Sequence, residues 1–415
     1  VKTVGPSDAI KAPLSYSDFE SLLLIVSHNH YRSDLPSGEN TAVNCHVDLL
    51  TSAGVLVYSW HEASDRLVSS GFIAKAWTAW SLAGCHSRRH DFKRRLQTLL
   101  EIGHDLIHLH NPWPLFTYDL ALAAAEAGLP LVQTLHNYRL IATNNRLVCD
   151  GVLRRPADEQ TRRHIGRMGS NHPRLANPFY NRALASWWRR GVPQQVVTGY
   201  LCLTRFQRDQ MLAAGIPTER LVVLPNALPD TGGPGLGGDD ALFVGRLDAT
   251  KGVDRLRAGW PEAGPPLLMV GDGPLRAAMA GHPRITALGR LDPVAVRSRM
   301  SQARMLVMAS TWYEGFPLVL IEALAAGTPC LVPRLGGLPD IITDGVLGRT
   351  FDPDDPSDLA RQALRLWDEA PAMRPACRAA YEARYTPERH LQRLLAIYDN
   401  VRARRPPGHG LPELP

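Results

Sequence analysis

The stretch "STWYEGFPLVLIEALAAGTPCLV", residues 310–332, is almost wholly apolar yet carries two carboxylates, Glu314 and Glu322. A glutamate is seldom fully buried without a partner, and an unpaired buried carboxylate costs several kcal/mol or takes up a proton. Pro317 suits the first turn of a helix and Gly327 the position just past its end. A helix is therefore predicted over about 317–326, apolar on all sides and so buried. Its N-terminus offers free backbone N–H groups, that of Leu318 among them, and a partial positive charge: a ready anion site. Glu314 falls in the turn before this helix and Glu322 on it. Capping of the helix by Glu314 is the plain structural alternative.

Two further stretches supply matching chemistry. "LFVGRLDATKGVDRL" places Arg246 and Lys251 after the carboxyl end of a strand, where a helix begins. Arginine clamps a phosphate with two parallel hydrogen bonds, and lysine supplies a point charge. "HNHYRSDLPSGENTAV" follows the first strand, and its Ser37 and Gly38 allow a backbone to approach a phosphate closely. Together these suit a nucleotide diphosphate with a polyhydroxyl group on each side. Glu322 would accept hydrogen bonds from ribose hydroxyls, and Glu314 from the far sugar.

The elements that position these residues are those of an α/β protein. "SLLLIVS", "DLIHLHN" and "LPLVQTLHN" read as buried parallel strands, with helical stretches such as "TYDLALAAAEAG" between them. "VVTGYLCLT" and "RLVVLPN" close the first series. "PDTGGPGLGGDD", residues 229–240, has no periodicity and reads as a flexible linker. Strand–helix alternation then restarts with "ALFVGRL", "PLLMVGDG", "ITALGRL", "RMLVMAS" and "TPCLVPR". The reading is two Rossmann-like, doubly wound domains facing across a cleft, with ligands at the carboxyl ends of both sheets. The first spans 1–228, with an extension over about 1–20 and a variable basic segment at 154–190. The second spans 241–390. Residues 391–415 read as a helix crossing back, followed by a Pro-rich tail.

Composition bounds the rest. The 415 residues are 45% hydrophobic and 21% charged, a globular and not a disordered balance. No apolar run reaches the ~18 residues of a membrane span, and no signal peptide is read in the N-terminal residues. Six scattered cysteines (Cys45, Cys85, Cys149, Cys202, Cys330 and Cys377) form no C-x-x-C pair, which points to a reducing, cytoplasmic setting. The net charge of +6 suits acidic, phosphate-bearing substrates, or weak peripheral attraction to an anionic inner membrane face. Nucleic acid is not expected as a partner, since no basic stripe with interleaved stacking aromatics is present.

The chain resembles the family-4 (group 1) retaining glycosyltransferases of the GT-B fold. The matching pieces are "YEGFPLVLIEALAAGTPCLV" with its E-x7-E spacing, "FVGRLDATKGV", "VGDGPL" and "VLPN", with "HNYRL" and "SGEN" in the first domain. The likeness covers roughly residues 21–400. It implies that Glu322 meets the ribose, Glu314 the donor sugar, and Arg246 and Lys251 the diphosphate. It places His136, in "TLHN", near the transferred sugar. The catalytic set so implied is Glu314, His136, Arg246 and Lys251. The donor-binding set adds Glu322, Ser37, Gly38, Asn226, Gly245, Arg290, Leu291, Gly315, Phe316 and Leu318. "LGRLD", from Gly289, would lie by the base. The loop here reads Ser-Gly-Glu where the family often has Gly-Gly, which leaves open which amide meets the phosphate. The implied activity is retaining, metal-independent transfer of a sugar from a nucleotide sugar to a hydroxyl acceptor, with front-face attack. UDP is favoured over GDP or dTDP, and no cofactor is called for. A nucleotide-sugar epimerase, another GT-B enzyme or an inactive nucleotide-sugar-binding protein are the rivals.

Three stretches invite other readings. His104, His108 and His110 suggest a metal, but no acidic or Cys ligand lies beside them, and no metal site is expected. "DPDDP", Asp352 to Pro356, reads as a loop and helix cap. Segment 154–190 is rich in arginine (Arg162, Arg163, Arg167, Arg189 and Arg190) and ends in Trp187-Trp188. Neighbours on a helix diverge by about 100°. One Trp is thus expected to pack inward while the other meets an acceptor or lipid, with a solvated surface as the alternative.

Overall fold

The computed structural model of the chain describes residues 22–30, 38–65, 88–142, 147–149, 152–153, 177–230, 232–355 and 357–413. The first domain alternates β1 (Leu23–His30), α1 (Gly38–Ser52), β2 (Leu56–Ala63), α2 (Arg89–Ile102), β3 (Leu106–Leu109), α3 (Asp119–Ala127) and β4 (Leu131–Leu135). It continues with α4 (Asn177–Arg189), β5 (Gly199–Cys202), α5 (Arg205–Ala214) and β6 (Leu221–Val223). Among the described residues these strands form one parallel sheet in the order β2-β1-β3-β4-β5-β6. Helices cover both faces, which is why β1, β3, β4 and β5 are buried along nearly their whole length and read as continuous apolar runs. The predicted stretch "TYDLALAAAEAG" is α3, and it stops at Gly128 in a left-handed turn (φ 78°).

The second domain holds β7 (Ala241–Val244), α6 (Val253–Gly259), β8 (Leu267–Val270), β9 (Ile285–Gly289), α7 (Pro293–Gln302), β10 (Met305–Val307), α8 (Leu318–Ala325) and β11 (Cys330–Pro333). It ends with α9 (Leu338–Ile341), β12 (Gly348–Phe351) and the long α10 (Asp358–Arg384). Its sheet runs β9-β8-β7-β10-β11-β12, again parallel. The strand order reverses between β7 and β10. Loops leaving the carboxyl ends of those two strands part there and open a crevice, where ligands bind in such sheets.

The last helix, α11 (Pro387–Arg402), returns to the first domain. Its Leu391, Leu394, Leu395, Ile397, Tyr398 and Val401 share one core with Leu24 and Val26 of β1 and Val43 and Leu50 of α1. The residues after it fold back on it, with the Asn400 side-chain amide donating to the carbonyls of Pro407 (3.2 Å) and His409 (2.8 Å).

The Gly/Pro segment 229–240 is not slack. Asp230 pairs with Arg378 of α10, and the Arg374 guanidinium donates to the Gly235 carbonyl at 2.9 and 3.1 Å. The Gly235 amide in turn donates to the Ala326 carbonyl at 3.0 Å. The sequence offers glycine freedom here, but two arginines from the far end of the domain use it to lay the chain flat. The second crossing lies beside the first, since the Leu228 amide donates to the Tyr385 carbonyl at 3.1 Å and the Tyr381 hydroxyl to the Leu228 carbonyl at 2.9 Å.

Because α11 supplies one wall of the first domain's core, Leu394→Ala should destabilise that domain by about 2–5 kcal/mol, the usual cost of emptying a buried leucine site. Urea unfolding followed by hydrogen exchange on β1 tests this. Unchanged protection of β1 would show that α11 merely rests on a finished domain.

Candidate active site

In the second domain the two loops at the β7/β10 switch point are stitched together. Asp248 caps the single turn after β7, its Oδ1 accepting from the amides of Thr250 (3.0 Å) and Lys251 (3.1 Å). Gly252 follows with φ 67°, and a Cβ there would lie 1.9 Å from the Ala309 carbonyl oxygen, so only glycine lets the loops meet. The Thr311 amide donates to the Thr250 carbonyl at 3.1 Å. This contact delivers Lys251 to Glu314.

Glu314 is only 8% exposed. Three donors converge on its Oε1: Lys251 Nζ at 2.8 Å, Ser310 Oγ at 2.6 Å and Trp312 Nε1 at 3.0 Å. The buried carboxylate is thereby paired and oriented, as such a group must be. Arg246 stands at the rim, 62% exposed, with Nη2 3.0 Å from Asp248 Oδ2. The N-terminal end of α8, with Phe316, Pro317, Leu318 and Val319, faces the same space.

The first domain closes the other side. Gly38 and Glu39, at the N-terminus of α1, and His136 and Asn137, after β4, complete a cavity of about 540 Å³ between the domains. Two helix N-termini, of α1 and α8, therefore face one interdomain space, an arrangement suited to an anion. The domains touch tightly beside it. A Cβ on Gly315 would lie 2.1 Å from the His136 carbonyl oxygen. Tyr313 of the second domain joins the first domain's core beside Tyr138 and Phe206, and the Phe206 amide donates to Asp340 Oδ2 at 2.6 Å.

His136 is half-buried, and burial lowers its imidazole to about 4, so it is neutral at pH 7. Its Nε2 lies 2.9 Å from His110 Nδ1. His28, lowered to about 4 chiefly by burial, and His110, also pushed down by burial, are neutral as well.

The structure thus brings together Glu314, Lys251, Arg246, His136, Gly38, Asn226, Gly315, Phe316 and Leu318 around one cavity. Gly245 lies between its lining residues Val244 and Arg246, and its amide donates to the Val270 carbonyl at 3.0 Å. Like Gly245, three further predicted residues are not among the lining residues. Arg290 is exposed and Leu291 half-buried on the loop after β9, away from the β7/β10 opening. Glu322 lies one helical turn beyond Leu318, half-buried, its carboxyl held above the usual range by burial while Arg297 pulls the other way. Ser37 falls outside the described residues, as do Arg162, Arg163 and Arg167. Of the Trp pair, Trp187 packs inward against Trp113 and Tyr118, each with ring centroids 5.1 Å away. Trp188 is half-buried, and its indole N–H donates to the Leu140 carbonyl at 2.7 Å. The sequence reading missed Ser310, Trp312, Glu39 and Asn137. Ser310 and Trp312 stand four and two residues before Glu314, and a search for donors to a buried carboxylate would have found them.

Comparisons with known proteins agree with this geometry. A model described as "Glycosyl transferase 4-like domain" matches residues 44–227, and one described as "Glycosyl transferases group 1" matches residues 238–369. The N-acetyl-alpha-D-glucosaminyl L-malate synthase of Bacillus anthracis is 33% identical over 142 residues, 32% of this chain and 36% of that protein. The chain thus spans little more than a third of that relative. The phosphatidyl-myo-inositol mannosyltransferase of Mycolicibacterium smegmatis is 28% identical over 383 residues, 87% of each chain. Among solved structures, HepE of Anabaena in complex with UDP and glucose superposes with a TM-score of 0.58 at 15% identity, over 90% of this chain and 98% of that one. The sucrose-phosphate synthase of Thermosynechococcus elongatus superposes at 0.64 and 17% identity, over 92% and 99%. These two likenesses establish the two-domain GT-B fold.

Gly315→Ala should push the domains apart, since overpacking at a tight contact costs about 1–3 kcal/mol and a mobile interface relieves it by opening. Small-angle scattering should show a larger radius of gyration at unchanged helix content. An identical scattering curve would show that the contact at His136 does not set the closure.

Proposed function

The chain belongs to the group 1 glycosyltransferases, and on that premise we propose that it moves a sugar from a UDP-sugar to an acceptor hydroxyl with retention at the anomeric carbon. The observation that carries the reading is the Lys251–Glu314 pair at 2.8 Å in the interdomain cavity, with two helix N-termini facing it. Lys251, Arg246 and those N-termini supply the positive charge that the departing diphosphate needs. A diphosphate entering the cavity competes for the Lys251 ammonium. Glu314, still held by Ser310 and Trp312, is left to orient the sugar. UDP is favoured because HepE is described with UDP and with UDP-glucose.

In the proposed step the bond from the anomeric carbon to the diphosphate oxygen breaks on the face where the acceptor oxygen attacks. The acceptor's proton passes to the leaving diphosphate. Glu314 is not the nucleophile in this scheme: held by Ser310 and Trp312, it orients the sugar. Neutral His136 hydrogen-bonds a sugar hydroxyl without adding charge. Glu322 accepts from the ribose.

Incubation with UDP-glucose, UDP-galactose and UDP-N-acetylglucosamine in the presence and absence of candidate acceptors tests the reading. Acceptor-dependent UDP release with an α-configured product is expected. Interconversion of the donors without release would make the protein an epimerase. Binding with no turnover under any acceptor would make it a binding protein.

Lys251→Ala should weaken UDP binding more than uridine binding, by roughly 1.5–3 kcal/mol for a lost charge-assisted contact. Equal losses for both ligands in calorimetry would remove Lys251 from the diphosphate site. Glu314→Gln should lower kcat with little change in UDP affinity.

Glu322→Gln has two expected effects. It should weaken UDP binding by about 1.5–3 kcal/mol. It should also stabilise the ligand-free protein. A folded carboxyl pKa above the unfolded value means that ionised Glu322 costs stability at neutral pH, a cost that fades as pH falls through the folded pKa. Lower stability of the variant at pH 7, with UDP affinity intact, would make Glu322 a structural residue.

A further inference from the structure

Behind His136, on the α1 and α11 side of the first sheet, lies a second cavity of about 230 Å³. Its wall includes His46 of α1, His108 of β3, His110 just after it, and His390 of α11. His46, His108 and His110 are all buried, and each offers one ring nitrogen within 4.8 Å of the other two. His104, the third histidine of the sequence pattern, is not part of this group: its Nδ1 lies 2.8 Å from the Leu99 carbonyl.

We propose that His46, His108 and His110 form a binding site for a late first-row divalent cation of the zinc type, separate from the donor cavity. Four observations carry it. The ligand set is imidazole, which suits zinc and its neighbours and not magnesium or calcium, which take oxygen ligands. His110 Nε2 is buried with no hydrogen-bond partner, while Nδ1 of the same ring faces His136 Nε2 at 2.9 Å. An unpartnered buried lone pair is costly, and an ion removes that cost. His108 Nε2 is fixed by Thr134 Oγ1 at 2.7 Å, the second-nitrogen contact that orients a metal-binding histidine. A fourth point is the Tyr398 hydroxyl, 2.5 Å from His108 Nδ1 and 3.3 Å from His46 Nε2. That oxygen lies between two of the imidazoles, where an ion would coordinate it or displace it.

His108 and His110 are stacked, with ring centroids 4.2 Å apart and 19° between their planes, so one of the two rings must turn to bring both lone pairs onto one ion. A tetrahedral ion with Zn–N bonds of about 2.0–2.1 Å sets ligand nitrogens about 3.3 Å apart. The adjoining cavity leaves room for water as a further ligand. The site would tie α1 to β3 beneath α11. Through His110 it would also fix the orientation of His136, a consequence that rests on the reading of the donor cavity; ion binding itself does not.

The test uses the full chain, stripped with chelator and titrated with Co²⁺ and then Zn²⁺. A single equivalent of Co²⁺ should give tetrahedral visible bands with no thiolate charge-transfer band, and Zn²⁺ should abolish them and raise the Tm. His46→Gln should bind more than about tenfold more weakly, while His104→Gln should match the parent. Absence of a stoichiometric Co²⁺ band in the parent overturns the proposal, as does a band that His46→Gln keeps at parental affinity. The cluster is then a hydrogen-bonded network of neutral rings. If His46→Gln does not fold, the parent's stoichiometry and spectrum decide alone. No arm of the test reads transferase activity.

Discussion

A carboxylate with 8% of its surface in water must be answered, and the contact between Glu314 and Lys251 is how this fold answers it. Much of the second domain's local structure follows from that need. Lys251 arrives at the end of a capped turn after β7, and Glu314 on the loop after β10. The two meet because the strand order reverses between β7 and β10 and because Gly252 lets the loops touch.

Charge is divided unevenly between the two faces of the cleft. The second domain contributes Lys251 and Arg246. The first contributes the neutral imidazole of His136, the N-terminus of α1 and the acidic residue Glu39.

Much of this was legible in the sequence. Strand positions, the two-domain alternation, and the E-x7-E stretch with its Arg and Lys partners come from local periodicity and spacing. What the sequence hid depends on residues far apart in the chain. His108 and His110 sit two residues apart on paper, but the ring that completes their group is His46, and the hydroxyl between them is Tyr398. Segment 229–240 looked slack because Arg374 and Arg378 lie well over a hundred residues away. Glu322 was expected to have a partner. It is half-buried, and no hydrogen bond to its carboxylate is seen among the described residues, which is why burial dominates its ionisation.

The return of α11 to the first domain has a consequence for synthesis. A ribosome delivers β1 and α1 early, yet the apolar wall that Leu24, Val26, Val43 and Leu50 present is covered only when Leu391 through Val401 emerge. The second domain's sheet is complete before then. The half of the molecule made first is therefore the half finished last, with a greasy surface waiting through the translation of a whole intervening domain. Such delayed, long-range closure slows folding and lengthens exposure to aggregation.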